Sequence, residues 1–173
     1  MVSLNWFECK VSVVRDVDGV RKKVDEIYVV DALTFTNAES RIIDEVAALF
    51  PDEFTLKNIS PVVYNEIFIN DDDLADKWYK LKYSTLLVDE DAGKEKRVAI
   101  TVLVQAASVR GALDRFEEGM RGSLADYEVM SIQDTKIMDV LPFNANDLKS
   151  GEEKSNEEDA NDGNDQADAQ PAE

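Results

Sequence analysis

The chain has 173 residues, 37 acidic and 19 basic, for a formal net charge of −18. It has no histidine and one cysteine, Cys9, which excludes Ser-His-Asp and Cys-His catalysis, histidine or cysteine-cluster metal sites, and an internal disulfide. Apolar residues make up 44% of the chain, enough for a domain with a hydrophobic core.

No apolar run is long enough to cross a bilayer. The opening Met-Val-Ser-Leu-Asn-Trp-Phe-Glu lacks the basic start and apolar stretch of a secretory signal, so a cytoplasmic location is expected. The charge is unevenly spread. Residues 144–173 hold ten acids and two bases, a balance of −8, and residues 1–143 hold 27 acids and 17 bases, a balance of −10. An acidic folded part argues against a broad nucleic-acid footprint but leaves room for a local basic patch.

In chain order, Phe7, Cys9, Val11 and Val13 alternate with Trp6, Glu8, Lys10 and Ser12, the period of a half-buried strand. Asp18-Gly19 closes a hairpin onto a second strand over residues 24–33. A helix begins near Thr34 or Thr36, where Thr36-Asn37-Ala38-Glu39 fits a capping box, and Ala38, Ile42, Val46 and Leu49 form its apolar stripe. Strands over residues 54–59 and 62–68 follow, with Pro61 marking the turn between them. Residues 70–77, with Asp71, Asp72 and Asp73 in a row, read as a solvated linker.

The same pattern then recurs in the same order. Trp78-Tyr79-Lys80-Leu81-Lys82 matches Trp6-Phe7-Glu8-Cys9-Lys10, and Gly93 matches Gly19. Ser108, Ala112 and Arg115 match Thr34, Ala38 and Arg41. Ala112, Leu113, Phe116 and Met120 form the second stripe, with Gly119 and Gly122 ending that helix, and strands are expected over 127–132 and 137–141. The expected fold is α+β: a tandem duplication of a ββαββ unit, one copy over about 4–69 and the other over about 77–143. The copies would pack as one pseudo-twofold domain, helix to helix or through a shared sheet. Residues 144–173 contain no aromatic residue and are expected to be a disordered acidic tail.

Few residues suggest chemistry. Gly119-Met120-Arg121-Gly122 follows a helix rather than a strand and lacks the Lys-Ser/Thr ending of a phosphate loop. Cys9 falls on the apolar side of its strand and is matched by Leu81, so a core thiol is expected. The reading is a non-enzymatic protein with no cofactor and no metal. The stronger lead is a repeated face: strand alternation places Trp6 beside Glu8 and Lys10, and Trp78 beside Lys80 and Lys82, on the polar side. Rings and cations on a sheet surface suit single-stranded nucleic acid, whose bases stack and whose phosphates attract lysine. Trp6 and Trp78 would stack bases, and Lys10, Lys22, Lys23, Lys80, Lys82, Lys96 and Arg97 would hold phosphates. The acidic tail would tune access or recruit a protein partner. A tryptophan that opens a strand also packs against a neighbouring repeat, and the sequence leaves both roles open. The alternative function is an acidic protein–protein adaptor or structural protein.

The segments Asn5-Trp6-Phe7-Glu8-Cys9-Lys10 and Val30-Asp31-Ala32-Leu33, with Phe116-Glu117-Glu118-Gly119-Met120 and Ala125-Asp126-Tyr127-Glu128, resemble a domain-of-unknown-function family. It is a family of Bacteroides-type bacteria, their prophages and mobile elements. The resemblance spans about residues 4–143, brings no catalytic residues, and implies a phage or mobile-element setting in which small DNA-handling proteins are common.

Overall fold

The structure, a computed structural model, describes residues 5–51, 53–89 and 91–143. The expected tail, residues 144–173, lies outside the described residues. Two antiparallel hairpins dominate. Strands β1 (Asn5–Val17) and β2 (Val20–Ala32) pair from end to end without a shift. Helix α1 (Phe35–Leu49) and strands β3 (Phe54–Val62) and β4 (Ile67–Phe68) follow. Strands β5 (Lys77–Asp89) and β6 (Lys94–Ala106) form the second hairpin, followed by α2 (Val109–Gly119), β7 (Tyr127–Asp134) and β8 (Ile137–Leu141). The chain is therefore a mixed α+β protein with two small sheets and two helices.

Local sequence explains the helix starts. Thr34 accepts a hydrogen bond from the Asn37 N–H at 3.1 Å, and Ser108 accepts one from Gly111 at 3.1 Å, each satisfying a free donor of the first turn. The cap of α1 is thus Thr34, and Thr36, the expected capping-box residue, lies inside the helix. The Asn37 side chain reaches back to the Leu33 N–H at 3.4 Å, so the reciprocal bond runs from one turn earlier than expected. The buried stripe of α1 is Ala38, Ile42 and Val46, with Leu49 exposed at the helix end.

Each helix covers one sheet. Phe7, Cys9, Val11 and Val13 of β1 and Tyr28, Val30 and Ala32 of β2 pack with the α1 stripe. Tyr79 and Leu81 of β5 and Val102, Val104 and Ala106 of β6 pack with Ala112 and Phe116 of α2. Residues of the opposite strand parity, Val29, Trp78 and Leu103, meet Tyr64, Ile137 and Val140 in a third core. The layers therefore run helix, sheet, sheet, helix, and the two halves meet through sheet faces rather than helix to helix or in one continuous sheet.

The strand order is β3-β1-β2-β8 in one sheet and β4-β6-β5-β7 in the other. Each sheet thus takes an edge strand from the other half of the chain: β8 runs parallel to β2, and β4 runs parallel to β6. Arginines tie both exchanged strands to a helix. Arg41 of α1 donates to the carbonyls of Asp31 and, at 3.0 Å, of Pro142 just after β8. Arg115 of α2 donates twice to the carbonyl of Ile69 just after β4, at 3.2 and 3.0 Å. Phe68 of β4 enters the core under α2 and meets Phe116 edge-on at 5.8 Å. Glycine at 119 is required by this approach, since a Cβ there would sit 2.3 Å from the Phe68 ring.

Two expected boundaries change. Pro61 does not mark a turn; it lies within β3, opposite Phe7. A sheet edge tolerates proline because the outward N–H has no ladder partner to lose. The strand expected over 62–68 is reduced to Ile67 and Phe68, because Val62 still pairs with Trp6 in the first sheet before the chain crosses to the second.

Candidate nucleic-acid interface

The side of the first sheet that bears Trp6 is covered at one end and open at the other. Beyond the third core it presents Lys10, Ser12, Asp25 and Lys23, cross-strand neighbours in the β1–β2 register. A β-bulge adds to this set. Lys10 pairs with Asn58 and Val11 with Leu56, which leaves Lys57 as the extra residue of β3. A bulge re-aims the side chain it carries, and Lys57 Nζ lies 2.8 Å from one carboxylate oxygen of Asp25, whose other oxygen lies 3.2 Å from Lys10 Nζ. Hydrogen bonds from Lys57 and then Lys10 hold the Asp25 carboxyl below the usual carboxylate range. Lys136, between β7 and β8, completes the rim of an open cleft of about 730 Å³ lined by Ser12, Lys23, Asp25, Thr55, Lys57 and Lys136. Ser12 is only 8% exposed and forms part of its floor. Lys23 also reaches Glu53 at 3.4 Å. Lys10 and Lys57 thus share Asp25, Lys23 pairs with Glu53, and Lys136 lines the same cleft, a local positive excess on an acidic domain.

Lys136 also lines a second cleft of about 220 Å³ with Glu8, Lys80, Gln133 and Asp134, so the two clefts adjoin. There Lys80 Nζ sits 5.7 Å from the centre of the Tyr64 ring. Burial, and then the charge of Glu8, push the Tyr64 phenol up to about 12.

The nine residues singled out in the sequence are dispersed. Lys10 and Lys23 join the cleft. Lys80 borders it through Lys136. Lys82 is exposed on the second sheet, and Arg97, further along the same hairpin, donates to Ser84 at 2.9 Å and is ion-paired with Glu128 at 2.9 Å. Lys22 and Lys96 alternate onto the opposite faces of their strands, away from the cleft. The expected wet position of the tryptophans is corrected. Trp78 is 3% exposed inside the third core, and Trp6 is half-buried against the same core. Alternation correctly separates the tryptophans from the helix-facing residues, but the other sheet covers that end of the face, leaving Trp78 no ring surface for a base. Lys57 and Lys136 were not legible as site residues: one depends on a bulge and the other on a strand exchanged from the far end of the chain.

A family model for a domain of unknown function, DUF4494, matches residues 5–143. The chain belongs to the DUF4494 family. No curated protein and no solved structure matches it. Within this DUF4494 domain, no group of three or more acidic or cysteine side chains is placed to hold a metal ion among the described residues. No helix among them is long and apolar enough to cross a membrane. Cys9 is buried, and burial followed by the charge of Glu8 pushes its thiol up from 9.0 to about 12. The unfolded thiol ionises near 9.0 while the native one stays protonated, so this group makes unfolding easier as pH rises from 9.0 toward 12. Urea unfolding of Cys9→Ala between those limits should show a shallower loss of stability than the parent; equal slopes would remove the thiol from that role.

Proposed function

We propose that this protein is a non-enzymatic accessory protein that binds single-stranded nucleic acid through the lysine cleft of its first sheet. The observation that carries the reading is the gathering of Lys23, Lys57 and Lys136 in one cleft with Asp25, which Lys10 also pairs with, in a domain whose overall balance is −10. Such a cluster offers several ammonium groups on long side chains to a flexible phosphate chain, while repulsion from the acidic remainder confines a polyanion to that face. The tryptophans serve as scaffold for the cleft. Residues 144–173, with their balance of −8, act as a competing polyanion or recruit a protein partner.

The setting we infer is the cytoplasm of a bacterium, in a phage or mobile-element context. The two halves are read as a tandem duplication of one ββαββ unit whose last strands have been exchanged. The matched caps Thr34 and Ser108, the matched clamps Arg41 and Arg115, and the two unshifted hairpins support this origin.

Fluorescence anisotropy of a labelled mixed-sequence single strand tests the function, using the full chain and a chain ending at Phe143 at low and moderate salt. Salt-sensitive binding, tighter without residues 144–173, is the expected result. Absence of binding by both chains at low salt would discard the reading and leave the adaptor role.

A further inference from the structure

The two sheets end in edges of unequal character. Strand β7 closes one side of the second sheet and β3 the matching side of the first, and neither has a further strand beside it among the described residues. A strand residue sends its N–H and C=O to the same side, and successive residues alternate. The Trp78 carbonyl accepts from the Thr135 N–H at 3.1 Å, so Trp78, Lys80, Lys82 and Ser84 turn toward β7, and Tyr79, Leu81, Tyr83 and Thr85 turn toward β6. The β7 residues opposite the second set are Asp134, Ile132, Val129 and Tyr127, and their backbone groups therefore point outward. A bulge at Met130 spaces these four positions as a palindrome. Turned end for end, Tyr127 falls opposite Asp134, and Val129 opposite Ile132.

We infer that the outer edge of β7 pairs antiparallel with β7 of a second copy of this chain, joining two four-stranded sheets into one. In this register every outward residue meets an outward residue of the other copy, which closes the ladder. Glu128 lies opposite Gln133, and Asp134 opposite Tyr127, so no like charges meet directly. Tyr127, Val129 and Ile132 are half-buried against the core under α2, and the added strand continues that apolar row. The duplicated edge, β3, has the same bulge and the same palindrome in Phe54, Leu56, Ile59 and Pro61, but it is guarded. Pro61 stands where β7 has Asp134 and supplies no outward donor. Lys57 stands where β7 has Met130, which is 57% exposed, and would bring two ammonium groups to the symmetry axis. The remaining edges fit a second copy less well. Strand β4 has two residues, and the Val140 N–H of β8 already donates to Asp139 at 2.8 Å. The open start of β6 has Glu95, Arg97 and Ala99 facing outward, and that of β2 has Arg21, Lys23 and Asp25. A register using all three sets Arg97 against Arg97, or Lys23 against Lys23.

Sedimentation velocity and amide exchange on the full chain, across a dilution series, test the pairing. The expected result is a reversible dimer in which protection of the Val129 and Ile132 amides grows with protein concentration. The variant Met130→Lys/Asp134→Pro gives β7 the two residues that β3 carries at the same places. It should keep its far-ultraviolet dichroism and raise the dimer dissociation constant by about tenfold or more. Should the proline unfold the chain, Met130→Lys alone, at an exposed side chain, should weaken the dimer in the same direction. A chain that is monomeric at every concentration would overturn the proposal. So would a dimer that leaves both amides unprotected, or one that is unchanged in Met130→Lys and in the double variant. Protection of the same amides at every dilution would overturn it too, and would assign the edge to another segment of the same chain.

Discussion

Phe68→Ala should destabilise the protein by about 3–5 kcal/mol, as for other buried phenylalanines, although Phe68 belongs to a strand of only two residues. Its ring fills the core between the second sheet and α2, beside Phe116 and under Gly119, while its own chain segment comes from the first half. That loss is a large share of the roughly 5–15 kcal/mol that holds an ordinary domain together. The adjacent Ile69→Ala removes a side chain that is 48% exposed and should cost far less. Urea unfolding followed by tryptophan fluorescence and by far-ultraviolet dichroism checks both. One shared transition, shifted to lower urea with its slope unchanged, is expected, because each sheet contains a strand from the other half. Two separated transitions would show that the exchanged strands do not couple the halves.

The second large effect separates scaffold from ligand binding. Trp78→Ala should cost about 3–5 kcal/mol, since the ring is buried where the sheets meet. Trp78→Phe should keep the fold and keep oligonucleotide affinity. Replacing Lys10, Lys23, Lys57 and Lys136 together with glutamine should do the reverse. These side chains lie at a solvent-open cleft, so the unfolding midpoint should move little, and glutamine can still donate to Asp25. Binding should weaken sharply, and the slope of log affinity against log salt should drop by roughly 3, about 0.7 for each phosphate of a single strand that is no longer neutralised. A Trp78→Phe variant that folds but no longer binds would return base stacking to the mechanism. A four-glutamine variant with an unaltered salt slope would remove the cleft from it.

Much of the local structure follows from the sequence alone, because it depends on neighbours in the chain. The period-two alternation from Trp6 to Val13 and from Trp78 onward determined which residues share a sheet face. The turn residues Asp18-Gly19 and Gly93, which take positive φ, determined where the hairpins reverse. The Ala38-Ile42-Val46 and Ala112-Phe116 stripes determined which side of each helix is buried. Alternation does not say what covers a face, however. The residues that bury Trp78 come from β2, β6, β8 and the segment around Tyr64, far apart in the chain, and nothing local distinguishes their end of the sheet from the open end at Lys10.

The strand exchange was equally invisible. Ile67 and Phe68 are too short a run to mark a strand's partner, and only the paired backbone of β6 and the space under α2 assign them to the second sheet. The lysine cleft depends on the same long-range events. Lys57 turns toward Asp25 because β3 carries one residue more than β1 can pair, and Lys136 arrives with the crossing into β8. Periodicity and capping are properties of a few consecutive residues, and the sequence determined them. Which charges meet, and which tryptophan stays dry, was decided by packing between distant segments, through the burial and pairing that only the assembled sheets supply.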